Sequence, residues 1–549
     1  MADYDYIIVG AGSAGCILAA RLSEDPSVRV LLIEAGGSDK SFWFDMPAGY
    51  ARSYFNPATN WMFKSQPEPN MAGRELYCPR GKVQGGSGSI NAMIWVRGQR
   101  SDFDDWKAAG NPDWGFDDVL PWFRKIENHP AGDTEWHGAS GPVGITPMRG
   151  QTHPICDRFL TAARESQLPV TEDMNGARFE GAGIYETNIA RGRRQSSSKT
   201  YLTPALGRPN LDLRLVTQAE QVLFDAEGRA AGVALRAKDG SRHDVYARVE
   251  VILSAGAIGS PLLLQQSGIG AGGELQRLGI DTRRNLPAVG QNLQDHLCAS
   301  YYYRATVPTL NDQLRPLWGQ AMAGLRYLTA RRGPLALSVN QAGGFFRTES
   351  ATDGPNIQLY FNPMSYRIPE STRARLLPEP YPGFLLCFNS CRPDSRGSVG
   401  LSRPEPGAAP DIRLNFLATE RDRREAVEAS RLVRRLMQAP ALSAITAEEI
   451  SPGAQCQDDQ GMLDYVRQNG GSIYHLCGTC AMGPDADTAV VDQRLRVHGV
   501  PGLRVIDASV FPNITSGNLN APVMMLAERA AAMIAEDRKS IRHEVRHSA

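Results

Sequence analysis

Residues 6 to 36 read YIIVGAGSAGCILAARLSEDPSVRVLLIEAG, and the order of features in this stretch decides the fold around it. The apolar run Tyr6-Ile7-Ile8-Val9 predicts a buried parallel strand. Gly10, Gly12 and Gly15 follow at once in G-x-G-x-x-G spacing, and residues 16–22 predict a helix whose small side chains lie close to the sheet. Residues 30–33 predict a second strand ending on Glu34, roughly 20 residues beyond the glycines, where a dinucleotide fingerprint places its acid. The first glycine makes the tight turn, the second admits a pyrophosphate, and the third lets helix and strand touch. The helix N-terminus faces the phosphates. With strand, glycines, helix, strand and acid all in order, the stretch reads as a dinucleotide site. Whether FAD or NAD occupies it must be decided elsewhere in the chain.

The chain has 549 residues, 42% of them hydrophobic, enough for two domains or one with large insertions. Lys+Arg and Asp+Glu are both 59, so no net field favours nucleic acid or an anionic membrane, and a small-molecule enzyme is expected. The N-terminus lacks signal-peptide order, and no run approaches the roughly 18 apolar residues of a membrane span. A cytoplasmic protein is the expectation. The basic tail (Arg538, Lys539, Arg542, Arg546) is the part suited to peripheral membrane contact, with a solvated terminus the plainer reading. Nine cysteines do not form a disulfide framework. Cys477-Gly478-Thr479-Cys480 has no second C-x-x-C to complete a zinc site, so it is read as small residues shaping a turn, and no metal is expected.

Outward from the fingerprint, residues 42–69 show no sustained period and predict an extended loop lying over a cofactor. Residues 80–91, RGKVQGGSGSIN, offer backbone N–H groups and hydroxyls for a second cradle. Phe103, Trp106, Trp122 and Phe123 recur at helical spacing and are assigned to the core. Residues 210–239 predict a β-meander. Residues 249–253 predict another buried parallel strand, running into SAGAIGSP and a helix over 262–267. From residue 311 the texture changes. Leu314, Trp318, Ala321, Leu325 and Leu328 mark an amphipathic helix, strands are expected over 357–361, 384–389 and 398–402, and a charged-faced helix over 420–438. The end returns to a short strand, 503–507, and a helix over 521–535 with Pro522 in its first turn.

Of nine histidines, those at 129, 137, 153, 243, 498, 543 and 547 lie in polar or loop-like stretches, and His296 closes a turn after Asp295. His475 sits among small and apolar residues, where a satisfied core histidine is the ordinary role. Asn518 and Asn520 open the last helix, where amides serve as caps or hold the electron-rich edge of a reduced ring.

Taken together, the fingerprint, residues 80–91, residues 256–270 (GAIGSPLLLQQSGIG) and the run from His475 to Pro522 resemble the glucose–methanol–choline family of FAD oxidoreductases, in four blocks and in order. The texture is closest to bacterial choline-dehydrogenase-like and primary-alcohol-dehydrogenase-like members. The resemblance implies an α/β, Rossmann-like FAD-binding domain and an α+β substrate domain with a mainly antiparallel sheet. It distributes the FAD-binding domain over 1–155, 206–300 and 461–540 and the substrate domain over 156–205 and 301–460, with a basic tail at 541–549.

By the same resemblance Gly10, Gly12, Ser13, Ala14, Gly15 and Glu34 hold the ADP half of FAD. Arg80, Gly85, Ser87, Asn91 and Ala92 lie along pyrophosphate and isoalloxazine. Val222 meets the adenine, Ala255 belongs to the second glycine-rich turn, and Asp507 and Asn520 contact the ribityl–pyrophosphate and pyrimidine edge. His475 matches the catalytic histidine and Asn518 its partner. The implied reaction takes a primary alcohol to an aldehyde, with proton loss to imidazole and hydride transfer to flavin N5. Ile90 stands where some members carry the histidine that bonds flavin covalently, so non-covalent FAD is expected. Lyases and a decarboxylase of the same family remain the competing class, and a NAD-dependent dehydrogenase leaves three of the four blocks without a role. Oxygen and a quinone-like compound are both open as electron acceptor, and the oligomeric state is not readable.

Overall fold

The computed structural model describes residues 3–367, 376–453 and 455–547, with side chains to residue 540. Two seven-stranded sheets, each with its own core, carry the architecture. In the first, Tyr4–Val9 lies between Val30–Ile33 and the long strand Arg242–Leu253, parallel to both, and Leu211–Arg214 extends the edge beyond Val30–Ile33. Arg242–Leu253 changes partners along its length. Residues 242–246 pair antiparallel with Ala230–Arg236, while 251–253 run parallel to Leu503–Val505. The predicted meander is therefore split: Leu211–Arg214 joins the parallel sheet, and Gln218–Phe224 with Ala230–Arg236 forms the antiparallel extension. Near-continuous burial of Ile7, Ile8, Val30, Leu31, Leu32, Val251, Ile252 and Leu253 is what a parallel sheet covered on both faces requires.

The helix Ser13–Leu22 packs on this sheet beside the terminal helix Asn520–His547. The latter runs 12 residues past the predicted end at 535, so Arg538 and Lys539 belong to it. Arg538 is bound to Asp25 at 2.7 Å, which removes it from a solvated tail; the side chains of Arg542 and Arg546 lie outside the described residues. Residues 42–69 are not one extended loop. They hold the short helices Phe42–Asp45 and Tyr50–Ser53 and the 3-10 turns Pro47–Gly49 and Pro69–Met71, too short to imprint a helical period on the sequence. Arg100–Ala108 and Phe116–Ile126 are helices, and Phe103, Trp106 and Phe123 are fully buried, with Trp122 partly so.

The second sheet is antiparallel, in the order Thr446–Ser451, Leu297–Ala305, Gly383–Ser390, Ile357–Asn362, Ala342–Phe346, Gly181–Ile184. Helices Ile155–Glu165 and Glu420–Gln438 cover one face, burying Phe159, Leu160, Leu432, Val433 and Leu436 against Leu359, Phe361 and Phe384. Along Leu297–Ala305, Ala299, Tyr301 and Tyr303 are buried, whereas Cys298, Ser300 and Tyr302 are partly exposed on the other face. That face points away from the covering helices. The helix predicted from residue 314 is two, Leu310–Leu314 and Leu317–Ala330, and the second turns its apolar stripe to solvent.

Candidate active site

The glycine spacing has the steric consequences expected of a dinucleotide turn. Gly10 has φ +102°, and a Cβ on Gly15 would lie 1.9 Å from the Gly10 carbonyl oxygen, so neither position admits a side chain. Gly12 differs. The nearest atom to a Cβ there is Ser254 O at 3.8 Å, so the missing side chain leaves room for a ligand over the helix start. The helix Ser13–Leu22 has no side-chain cap, and its first-turn N–H groups are free to meet phosphate. Ala14 is buried, and the Ser13 hydroxyl donates to Asn520 Oδ1 at 2.8 Å, tying the fingerprint turn to the last helix.

Glu34 ends its strand with both carboxylate oxygens engaged, accepting from Ala11 N–H at 3.0 Å and Gly36 N–H at 2.8 Å. Burial pushes its pKa up to about 7, against those two hydrogen bonds and the charge of Lys82. The 80–91 segment folds back on the fingerprint: Gly85 N–H donates to Ala11 O at 2.7 Å, and a Cβ on Gly86 would lie 2.8 Å from Gly12 Cα. Ser87 Oγ accepts from Gly81 N–H, and Asn91 Oδ1 accepts from Met93 N–H and from Arg194 at 2.6 Å. Ala92 lies half-buried beside them. Arg80 donates to the carbonyls of Pro79 and Tyr474, and its Nη2 is buried without a partner. Arg194 Nη2 is likewise buried and unpartnered, and burial lowers that guanidinium to about 9. Two unpartnered guanidinium nitrogens, uncapped helix N–H groups and a glycine cradle fit an anionic, carbonyl-rich cofactor such as FAD.

Three assigned residues are already used within the protein. Val222 N–H donates to Ser267 Oγ at 2.8 Å. Ala255 N–H donates to Ser260 Oγ, at the start of the helix Gly256–Gln266. The Asp507 carboxylate accepts from Ser260, Ser509 N–H and Gly256 N–H, so what it has to offer a ligand is its backbone rather than its side chain. Cys477 and Cys480 are buried free thiols, and burial pushes both up, which leaves them inert.

His475 and Asn518 are brought together: His475 Nε2 and Asn518 Nδ2 are 3.1 Å apart. Gly517 has φ +94°, and a Cβ there would strike Val96 at 2.8 Å, so only glycine makes the turn that presents Asn518. Asp102, buried, anchors that turn by accepting from both N–H and hydroxyl of Ser516. On the other side, Tyr474 takes φ +74°, a strained value for a bulky residue, immediately before His475.

Sequence reasoning missed His296. Its Nδ1 lies 2.9 Å from His475 Nδ1, with the rings edge-on at 89°. Asp295 pins both residues, accepting from His296 N–H at 2.9 Å, His475 N–H at 2.7 Å and the Ser472 hydroxyl. Backbone bonds between Gln294 and Cys477 in both directions fix the same register. An acid beside a histidine, in a turn that leads into a strand, was the available signal.

The ring contacts determine where the protons are. His296 Nε2 lies 2.9 Å from the Cys391 carbonyl, which can only accept, so Nε2 carries the hydrogen. Burial pushes His296 down to about 4, so the ring is neutral and its Nδ1 is an acceptor. His475 must then donate from Nδ1, leaving its Nε2 with a lone pair. Burial, then His296, then Arg80 hold His475 well below the ordinary histidine range. The result is a neutral imidazole with its basic nitrogen directed to the Asn518 amide.

Comparison with known proteins gives the family. The GMC oxidoreductase family models match residues 4–298 and 393–527. An oxygen-dependent choline dehydrogenase of Pseudomonas fluorescens is 42% identical over 537 residues, covering 97% of this chain and 94% of that protein. Pyridoxine 4-oxidase of Mesorbium loti superposes with a TM-score of 0.87 at 31% identity, covering 97% of this chain and 99% of that one. A variant of Aspergillus oryzae formate oxidase superposes with a TM-score of 0.90 at 27% identity, covering 98% and 99%. The parallel sheet with its glycine turn is thus the FAD-binding, Rossmann-like domain, and the antiparallel sheet is the substrate-binding domain. The chain belongs to the GMC oxidoreductase family, as an FAD-dependent alcohol dehydrogenase or oxidase.

Proposed function

We propose that the protein oxidises a primary alcohol to an aldehyde, with His475 Nε2 as the base that takes the hydroxyl proton. The observation that carries this reading is the hydrogen-bond chain in which His475 Nδ1–H donates to His296 Nδ1 and His296 Nε2–H donates to the Cys391 carbonyl, which leaves His475 Nε2 unprotonated. A neutral buried imidazole is poised for general-base work at neutral pH. The Asn518 amide, directed at the same point, donates to the alcohol oxygen as negative charge builds there. Gln358 Nε2 holds Asn518 Oδ1 at 3.4 Å, keeping the amide nitrogen turned toward the histidine.

FAD supplies the hydride acceptor when bound. Gly10, Gly12, Ser13, Ala14, Gly15, Glu34 and Val222 hold its ADP half, and Arg80, Gly85, Ser87, Asn91, Ala92, Ala255, Asp507 and Asn520 the remainder. The attachment is non-covalent, because Ile90 offers no nucleophile before Asn91. The partly exposed residues Cys298, Ser300 and Tyr302 share a face that adjoins the strand Gly471–Ser472 leading to His475. The oxygen-dependent choline dehydrogenase relatives make choline the first alcohol to try and oxygen the first acceptor, with a quinone-like compound as the alternative. His475→Ala tests the reading. It should keep the bound flavin and lose about 100-fold or more in turnover; turnover near wild type would remove the base assignment.

A further inference from the structure

Among the described residues ten large hydrophobic side chains are exposed, and five of them lie on one helix: Leu317, Trp318, Met322, Leu325 and Leu328. Their exposure runs from 55% for Leu325 to 83% for Leu317. The spacing puts all five on one side of Leu317–Ala330. The opposite side, Gly319, Ala323 and Tyr327, is buried and holds the helix to the molecule. The Tyr327 hydroxyl donates to Gly192 O at 3.0 Å, and its ring meets Phe42 edge-on at 5.8 Å. Phe42 and Trp43, 41% and 36% exposed, extend the apolar surface. Isolated exposed apolar residues are ordinary, but a continuous stripe on one helix is not.

The charged residues within the stripe's own stretch of sequence have one sign. Between Asp312 and Glu349 the sequence contains no Asp or Glu, while Arg315, Arg326, Arg331 and Arg332 surround the helix. Arg315, Arg326 and Arg332 are exposed. Arg331 lies over the Tyr327 ring at 4.7 Å, and Arg52 over Trp43 at 3.7 Å. Of the acids flanking this surface in sequence, Asp312 is exposed and accepts from Thr309 N–H at 2.8 Å, and Asp45 pairs with Lys199 at 3.1 Å. Tryptophan and leucines on one face with arginines at the rim make the composition of a helix lying in a bilayer interface. No helix among the described residues is long and apolar enough to cross a membrane, so the contact is a surface one.

We propose that the Leu317–Ala330 face, with Phe42 and Trp43, docks this enzyme on the surface of an anionic lipid bilayer. Leu317, Trp318, Met322, Leu325 and Leu328 enter the acyl boundary, and the arginines meet lipid phosphates. The docking surface is this helix and not the basic C-terminal tail. It connects to the active site through residues 42–54: Phe42 contacts the helix, and Tyr54 packs on Tyr474, the neighbour of His475, at 5.4 Å.

The test is flotation of the FAD-loaded full chain with phosphatidylglycerol–phosphatidylcholine vesicles and with phosphatidylcholine vesicles alone. Wild type should float with the anionic vesicles and much less with the neutral ones. Trp318→Glu/Leu325→Glu and, separately, Arg326→Glu/Arg332→Glu should each weaken anionic-vesicle binding by about tenfold or more, with flavin content and turnover with a soluble acceptor unchanged. Wild type that stays with the unbound fraction, or variants that float as well as wild type, would overturn the proposal. So would a dimer in sedimentation that Trp318→Glu/Leu325→Glu makes monomeric while wild type ignores vesicles; the face would then join two copies of this chain.

Discussion

Replacing His296 by Phe keeps a ring of similar size in a fully buried position and removes both links of the hydrogen-bond chain. The Cys391 carbonyl loses its donor, and the His475 Nδ1–H loses the acceptor 2.9 Å away. A buried donor left unpaired costs about 1–3 kcal/mol. That cost falls on the tautomer with hydrogen on Nδ1, the one that the proposed base requires. At about 1.36 kcal/mol per decade the rate of flavin reduction by alcohol should fall roughly 5- to 150-fold. The assay is anaerobic rapid mixing of the FAD-loaded variant with saturating alcohol, following loss of the visible flavin band. His296→Asn, whose amide oxygen accepts from Nδ1–H, should recover part of the rate, which a purely structural role for the ring would not produce. A His296→Phe rate within about twofold of wild type, at full flavin content, would refute the tautomer assignment.

The neutral histidine pair also fixes the pH response. Because His475 is held well below the ordinary histidine value and His296 sits near about 4, alcohol-driven flavin reduction should stay level as pH falls through 6.5. A half-loss centred at pH 6.5 would mean an ordinary, exposed imidazole. The same two groups bind protons in the unfolded chain before the folded one. Their contribution to stability is therefore complete above about pH 6.5 and declines as pH falls below it, which thermal melts at fixed flavin loading can follow. Glu34→Gln turns an amide donor toward one of the two N–H groups that the carboxylate now accepts, from Ala11 and Gly36. Leaving that N–H unpaired costs about 1–3 kcal/mol, so the Kd for FAD should rise roughly 5- to 150-fold in titration of the apoprotein; an unchanged Kd would show that the strand-end acid does not shape the cofactor turn. Asn518→Ala removes the proposed amide donor to the alcohol oxygen. Flavin reduction should slow by about 100-fold with flavin retained, and a rise in KM alone would reassign Asn518 to substrate binding.

How much of this was legible in the sequence depended on how local each feature is. The fingerprint could be read because strand, turn, helix and acid follow one another within residues 4–36, and every element appears where its composition places it. The strand at Val30–Ile33 and the helix Glu420–Gln438 were likewise set by unbroken local patterns. His296 was not legible, because its role is created by a partner 179 residues away. The 42–69 segment hid its four-residue helices, which are shorter than the repeat that periodicity needs. Periodicity found the face of Leu317–Ala330 but not its direction. The small residues Gly319 and Ala323 let that side approach the protein, and the large apolar side was left outside. Of Arg242–Leu253 only residues 249–253 read as a strand, and nothing local announces that the strand starts earlier and pairs antiparallel at one end and parallel at the other.

The measurement that tests the central claim most directly is the visible flavin spectrum of the holoprotein, mixed without oxygen with a panel of primary alcohols that includes choline and an aromatic alcohol. The account predicts bleaching of the oxidised flavin band by at least one alcohol, abolished in His475→Ala, with one aldehyde formed per flavin reduced. A compound consumed through many turnovers while the flavin stays oxidised would contradict it, and would move the protein to the non-redox lyases of its family.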